Sequence, residues 1–218
     1  MKIAILLYEG FTALDAVGPY EVLSRLPGVD LAFVAARAGV VTSDTGFLKL
    51  TAVAGIDDVP AADVVLVPGG PGDEAVRAHA PTLEWLRRVH EQTSWTTSVC
   101  TGALILGAAG LLRGVRATTH WAFFDELASF GAEPVKARAV ESGKIVTAAG
   151  VSAGIDMALR LAQRIAGDDF ARAIQLGIEY DPDPPFDAGS PEKHPPEMVE
   201  VVRAFGRSAR AARAGRAA

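Results

Sequence analysis

Apolar positions along this chain follow two periods. Ile3 to Leu7, Leu31 to Ala35, Ala62 to Val67 and Ile145 to Ala148 are short runs with the length and branching of strands buried on both faces, and Trp95 to Val99 reads as a further strand. Between them lie helical segments: Thr12 through Leu23 and Leu26, stopped by Pro27-Gly28; Pro81 to His90; Thr101 to Leu112; Ser152 to Ile165, ended by Gly167; and Phe170 to Tyr180. Val40 to Leu50 alternates loosely among turn formers and predicts a small hairpin. Strands alternating with helices of this length predict a mostly parallel sheet covered on both faces, with chemistry at the carboxyl ends of the strands.

The pattern fails after Tyr180. Asp181 to Pro191 carries prolines that remove amide donors and bar helix at the preceding residue, so it predicts an ordered arm or a linker. Beyond it, Arg203, Arg207, Arg210, Arg213 and Arg216 recur three or four apart among alanines and share one helical face, expected to be solvated rather than a phosphate-binding patch. The expected organisation is an α/β domain over 1–180, with 181–218 a Pro-rich arm and C-terminal helix packed on the same domain.

Composition narrows the chemistry. With 218 residues, 50% of them hydrophobic and 22% charged, the chain can bury a real core. Its net charge of -5 argues against a nucleic-acid partner, because phosphate neutralisation needs surplus Lys and Arg. The longest apolar stretch, Ala103 to Leu112, is too short to span a bilayer, and the N-terminus lacks a signal-peptide layout. A cytoplasmic protein is expected. The one cysteine excludes internal disulfides and multi-thiolate metal sites, leaving a thiol that is either buried and inert or reactive.

That thiol, Cys100, lies in Thr97-Ser98-Val99-Cys100-Thr101-Gly102, at a strand-to-helix junction whose sharp turn exposes a nucleophile above a sheet. The amides of a helix N-terminus favour thiolate, so a lowered pKa is expected. Asp15 has two readings. With Thr12 it has capping-box spacing, yet it also follows the first strand at the same sheet edge and could shuttle protons to a thiol. Pro68-Gly69-Gly70 follows a central strand, where successive glycines let backbone N–H groups approach a substrate.

The nucleophile turn, Pro68-Gly69-Gly70 and Thr118-Thr119-His120 together resemble the DJ-1/PfpI superfamily. Leu14-Asp15, Gly18-Pro19-Tyr20, Arg116 to Trp121, Gly154-Ile155-Asp156, Glu179-Tyr180 and Pro184 to Pro191 narrow the resemblance to its isocyanide-hydrating branch. The resemblance implies a flavodoxin-like three-layer α/β/α sandwich with a cysteine nucleophile elbow, and a homodimer. It implies hydration of an isocyanide to an N-substituted formamide through a thioimidate on Cys100. Asp15 is then the proton carrier, Thr101 a donor to the nucleophile or water, and Gly69, Gly70, Gly150 and Val151 the substrate-binding residues, with no metal or other cofactor. A neutral isocyanide also implies an apolar pocket.

Departures shape the rivals. Protease-like members place histidine directly after the nucleophile, where this chain has Thr101, so peptide cleavage is not expected. His120 is read as structural, bonded to neighbouring threonines and packed on Trp121. Related DNA-binding regulators carry a helix-turn-helix region beyond the point where this sequence stops, which disfavours a stand-alone regulator. Two alternatives stay open: a cysteine redox or stress sensor oxidised to sulfinic acid, and a ligand-binding module acting in transcription.

Overall fold

The computed structural model describes residues 1–217, with side chains through residue 212. In chain order the elements are β1 (Lys2–Leu6), α1 (Ala13–Leu23), β2 (Asp30–Ala35), β3 (Gly39–Thr42), β4 (Lys49–Ala52), β5 (Ala54–Gly55), β6 (Val64–Val67), α2 (Asp73–Arg77), α3 (Ala80–Gln92), β7 (Trp95–Val99), α4 (Gly102–Ala108) and β8 (Arg116–Ala117). Then follow α5 (Phe124–Ser129), β9 (Glu133–Pro134), β10 (Ala139–Ser142), β11 (Ile145–Ala148), α6 (Ala153–Ala166), α7 (Asp168–Gly177) and α8 (Pro196–Ala217).

Seven strands form one sheet in the order β10-β11-β7-β6-β1-β2-β5, parallel except for β10 against β11. Both faces are covered. Ile3, Ile5 and Leu7 point into a core shared with α1, α6 and α7, while Ala4, Leu6, Val65 and Val67 point into a second core closed by α3 and α4. The period of two along each strand therefore yields two apolar layers and the predicted three-layer sandwich. The Val40 to Leu50 hairpin is β3–β4. β1, β6, β7 and β11 all run the same way, so the segments leaving their carboxyl ends converge on one edge.

Two helices are shorter than their apolar patterns. α4 ends at Ala108, because Gly110 turns the chain at φ +81 and the residues to Leu112 pack as irregular turns. α7 ends at Gly177, and Glu179 adopts φ +52. The capping box at α1 does not form: the Thr12 hydroxyl donates to Asp44 Oδ2 at 2.8 Å, and Asp15 turns inward. Residues 181–190 have no regular structure and lead through a 3-10 turn into α8. The expectation of a solvated arginine face is corrected at Arg210, which is buried against Asp73 and Glu126; Arg207 is exposed, and the side chains of Arg213 and Arg216 lie outside the described residues. Among the described residues, no helix is long and apolar enough to cross a membrane.

Candidate active site

Between β7 and α4 the backbone reverses at Cys100 with φ +56, a conformation that strains any residue bearing a Cβ. Its surroundings hold it there. The Cys100 amide donates to Ala148 O at 3.1 Å and Ala149 O at 2.8 Å, and the Thr119 hydroxyl donates to Cys100 O at 2.8 Å. The expectation of an exposed nucleophile is corrected, since Cys100 is only 6% exposed. Amides of Val151 and Thr101 donate to the sulfur. Val151 reaches it from the β11–α6 turn at φ +25, an uncommon angle for a β-branched residue.

Asp15, in the first turn of α1, is fully buried. Its Oδ2 accepts the Gly69 amide at 2.9 Å, its Oδ1 accepts no N–H or O–H donor, and the Cys100 thiol hydrogen-bonds the carboxylate. Burial pushes the Asp15 carboxyl up to about 7, against the lowering effect of the Gly69 amide. Burial, and next the Asp15 charge, push the Cys100 thiol up as well; the Val151 and Thr101 amides oppose this and lose. The expected lowering of the thiol pKa is therefore overturned. The N-terminus of a single short helix does not offset removal of the sulfur from water.

The glycine turn after β6 packs beneath the elbow. A Cβ at Gly69 would lie 2.5 Å from Thr101 N, and one at Gly70, where φ is +137, would lie 2.3 Å from Gly10 O. The Gly70 amide, expected to face substrate, instead donates to Thr101 Oγ1 at 2.9 Å. Gly150 packs under the His120 ring, where a Cβ would lie 2.8 Å from Cδ2. His120 Nδ1 accepts the Ala122 amide rather than bonding the threonines, and its ring centroid lies 5.2 Å from Trp121 and 5.8 Å from Phe123. Burial, with the nearby Arg210 cation, lowers its pKa to about 4, so it is neutral at pH 7.

Asp15, Gly69, Gly70, Cys100, Thr101, Gly150 and Val151 thus converge on one edge of the sheet. Sequence reasoning picked out Thr119 only as part of a motif, not as a partner of Cys100 O, and missed Tyr8 and Asp73. Tyr8 donates to Pro68 O at 2.9 Å, feels the charges of Asp15 and Cys100, and also lines a cavity of about 350 Å³ with Arg37, Val41, Gly72 and His79. Cys100 is not on that cavity's wall. No group of three or more His, Cys, Asp or Glu among the described residues is arranged to hold a metal ion.

A cysteine on a left-handed strand-to-helix turn, paired with a buried carboxyl from the first helix, defines a nucleophile-elbow α/β protein. The DJ-1/PfpI family profile matches residues 1–164, and the chain belongs to that family. It is 47% identical over 203 residues to an isonitrile hydratase of Pseudomonas putida, a match covering 93% of this chain and 89% of that one. A THiJ/PfpI family protein from Pseudomonas syringae superposes with a TM-score of 0.90 at 41% identity, over 96% of this chain and 89% of that one. Drosophila melanogaster DJ-1beta, at 19% identity, shares the fold with a TM-score of 0.74, covering 82% of this chain and 97% of that one.

Proposed function

We propose that this protein is an isocyanide hydratase, a hydro-lyase that adds water to an isonitrile and releases an N-substituted formamide. The observation that carries the reading is the buried Cys100–Asp15 pair, with two amides aimed at the sulfur. The Pseudomonas putida relative supports it. The Asp15 carboxylate accepts the thiol proton as sulfur attacks the terminal carbon, then delivers that proton to the same carbon, giving the thioimidate R–N=CH–S. Water adds to this carbon with Asp15 moving its proton, and collapse of R–NH–CH(OH)–S to R–NH–CHO returns the thiol. The steps consume one isocyanide and one water. The Val151 and Thr101 amides stabilise sulfur whenever it carries charge. Gly69, Gly70, Gly150 and Val151 serve the substrate site through the groups they hold, Asp15, Thr101, His120 and the Cys100 sulfur, in keeping with a ligand that offers little to hydrogen-bond.

We also propose that 1–180 and the 181–218 arm and helix form one domain, and that the chain is a cytoplasmic homodimer with neither nucleic acid nor membrane as partner. Phe186 on the arm is 75% exposed and Phe205 on α8 78%, although Arg203 and Arg210 of the same helix face the domain. An apolar outer face of this kind fits a second subunit. A redox sensor would need an accessible, low-pKa thiolate, which the burial of Cys100 opposes. Incubating the purified protein with a simple alkyl isocyanide and following formamide by NMR tests the reading. Formamide forming no faster than in buffer would sink it.

A further inference from the structure

We propose that Arg210, on the C-terminal helix, is a positioning residue for the Cys100 site: it neutralises the buried Asp73 at the start of α2 and holds the glycine turn on which Asp15 and Thr101 depend. Asp73 is fully buried at the start of α2, directly after that turn. Its amide donates to Gly70 O at 3.1 Å, and the Gly70 amide in turn donates to Thr101 Oγ1. Arg210 Nη2 meets Asp73 Oδ2 at 2.8 Å, its Nη1 meets Glu126 Oε2 at 2.9 Å, and its guanidinium carbon lies 3.9 Å from the Phe123 ring centroid. A fork that binds two carboxylates and stacks on a ring fixes its own position and theirs.

Arg210 is one of the two cations that offset a cluster of three acids. Asp73, Glu74 and Glu126 face Arg77 and Arg210, three carboxylates against two guanidiniums. Losing Arg210 leaves three against one, with the buried Asp73 the member that acts on the sulfur. The ionisable groups whose charges act on Cys100 are Asp15 from α1 and, more weakly, Asp73 from α2, with Tyr8 after β1 feeling the same charges. Arg210 also acts on Tyr8 and on His120, whose ring covers Gly150. An anion near a thiol opposes thiolate formation, and a cation paired with that anion removes the opposition. The second carboxylate is thereby screened while Asp15 is left to handle the proton.

This inference rests on Cys100 as the nucleophile and not on the isocyanide, so the test reads the thiol without turnover. Cys100 is the one cysteine in the sequence, and iodoacetamide alkylation followed by mass spectrometry reports on it alone. The rate is measured from pH 6 to 10 in the full-length wild type, Arg210→Gln, Arg210→Lys and the double variant Arg210→Gln/Asp73→Asn. Arg210→Gln is expected to slow alkylation at pH 7.5 by roughly three- to tenfold, through an upward move of the profile by about half to one pH unit. Arg210→Lys, which keeps the charge but not the fork, is expected to fall between the wild type and Arg210→Gln, and the double variant, with both charges gone, returns towards the wild type. A role confined to packing predicts no such rescue. Should Arg210→Gln fail to fold, Asp73→Asn alone decides the matter, because removing the anion should speed alkylation. A folded Arg210→Gln with the wild-type profile overturns the proposal, as does an unrescued double variant or an Asp73→Asn protein that reacts more slowly.

Discussion

Cys100 and Asp15 sit together out of water, and two acids so placed resist carrying two charges at once. One proton shared between them is the state the proposed reaction uses. With the Asp15 carboxyl at about 7, kcat/KM for an alkyl isocyanide is expected to fall as pH drops through 7, because the proton acceptor fills. The stability effect has the opposite sense. Folding raises the Asp15 pKa from 3.8, so the favourable protonated form is lost as pH rises from about 4 through about 7, and the fold weakens over that window. Asp15→Asn should therefore gain melting temperature over the wild type at pH 8 more than at pH 5, by calorimetry, while losing nearly all turnover. Near-normal kinetics in this variant would leave Asp15 a purely structural residue. Cys100→Ala is expected to cost about a thousandfold or more in turnover but only about 1 kcal/mol in urea denaturation, since one sulfur leaves a small gap. The pairing of these residues was partly legible: a strand-to-helix cysteine and an acid after β1 both belong at the carboxyl edge. Their ionisation was not, because a pKa depends on burial that no local spacing reports.

Elements set the site's tolerances. α4 begins so close to β6 that the glycine turn and the elbow share van der Waals space, and a Gly69→Ala side chain would collide with the Thr101 amide as well as with Cys100 Cβ and Thr101 Oγ1. We expect this variant to lose about 1–3 kcal/mol in urea denaturation and most of its activity, because relief requires shifting Thr101 or the Asp15 partner amide. A stable variant with wild-type rates would show that the turn has slack. Strand assignments were readable because a buried parallel strand is largely apolar on both faces, as β6 is throughout and β1 is after Lys2. Helix ends were less so. The apolar run through Leu112 outlasts α4, because irregular turns can bury leucine as well as a helix does, and Thr12 was drawn from its capping role by Asp44.

At the scale of the molecule, the arm and α8 leave apolar side chains outward while Arg210 turns inward. If a second subunit covers that face, the wild type sediments as a dimer at micromolar concentration, and Phe186→Ser shifts it towards monomer. A wild-type monomer removes the proposal, and an undisturbed variant dimer moves the interface away from the arm. By itself the sequence determined the layered architecture, since the alternation of apolar runs leaves a parallel sheet few other ways to bury both faces. It also determined which residue types meet at the sheet edge, because strands running the same way deliver their following turns to one side. Only the tertiary structure decided how those residues ionise, which acceptor each amide finds, and that Arg210 lies against Asp73, 137 positions earlier in the chain. Periodicity reports the environment of a residue within its own element, whereas charge pairing and desolvation arise between elements whose separation along the chain carries no local signal.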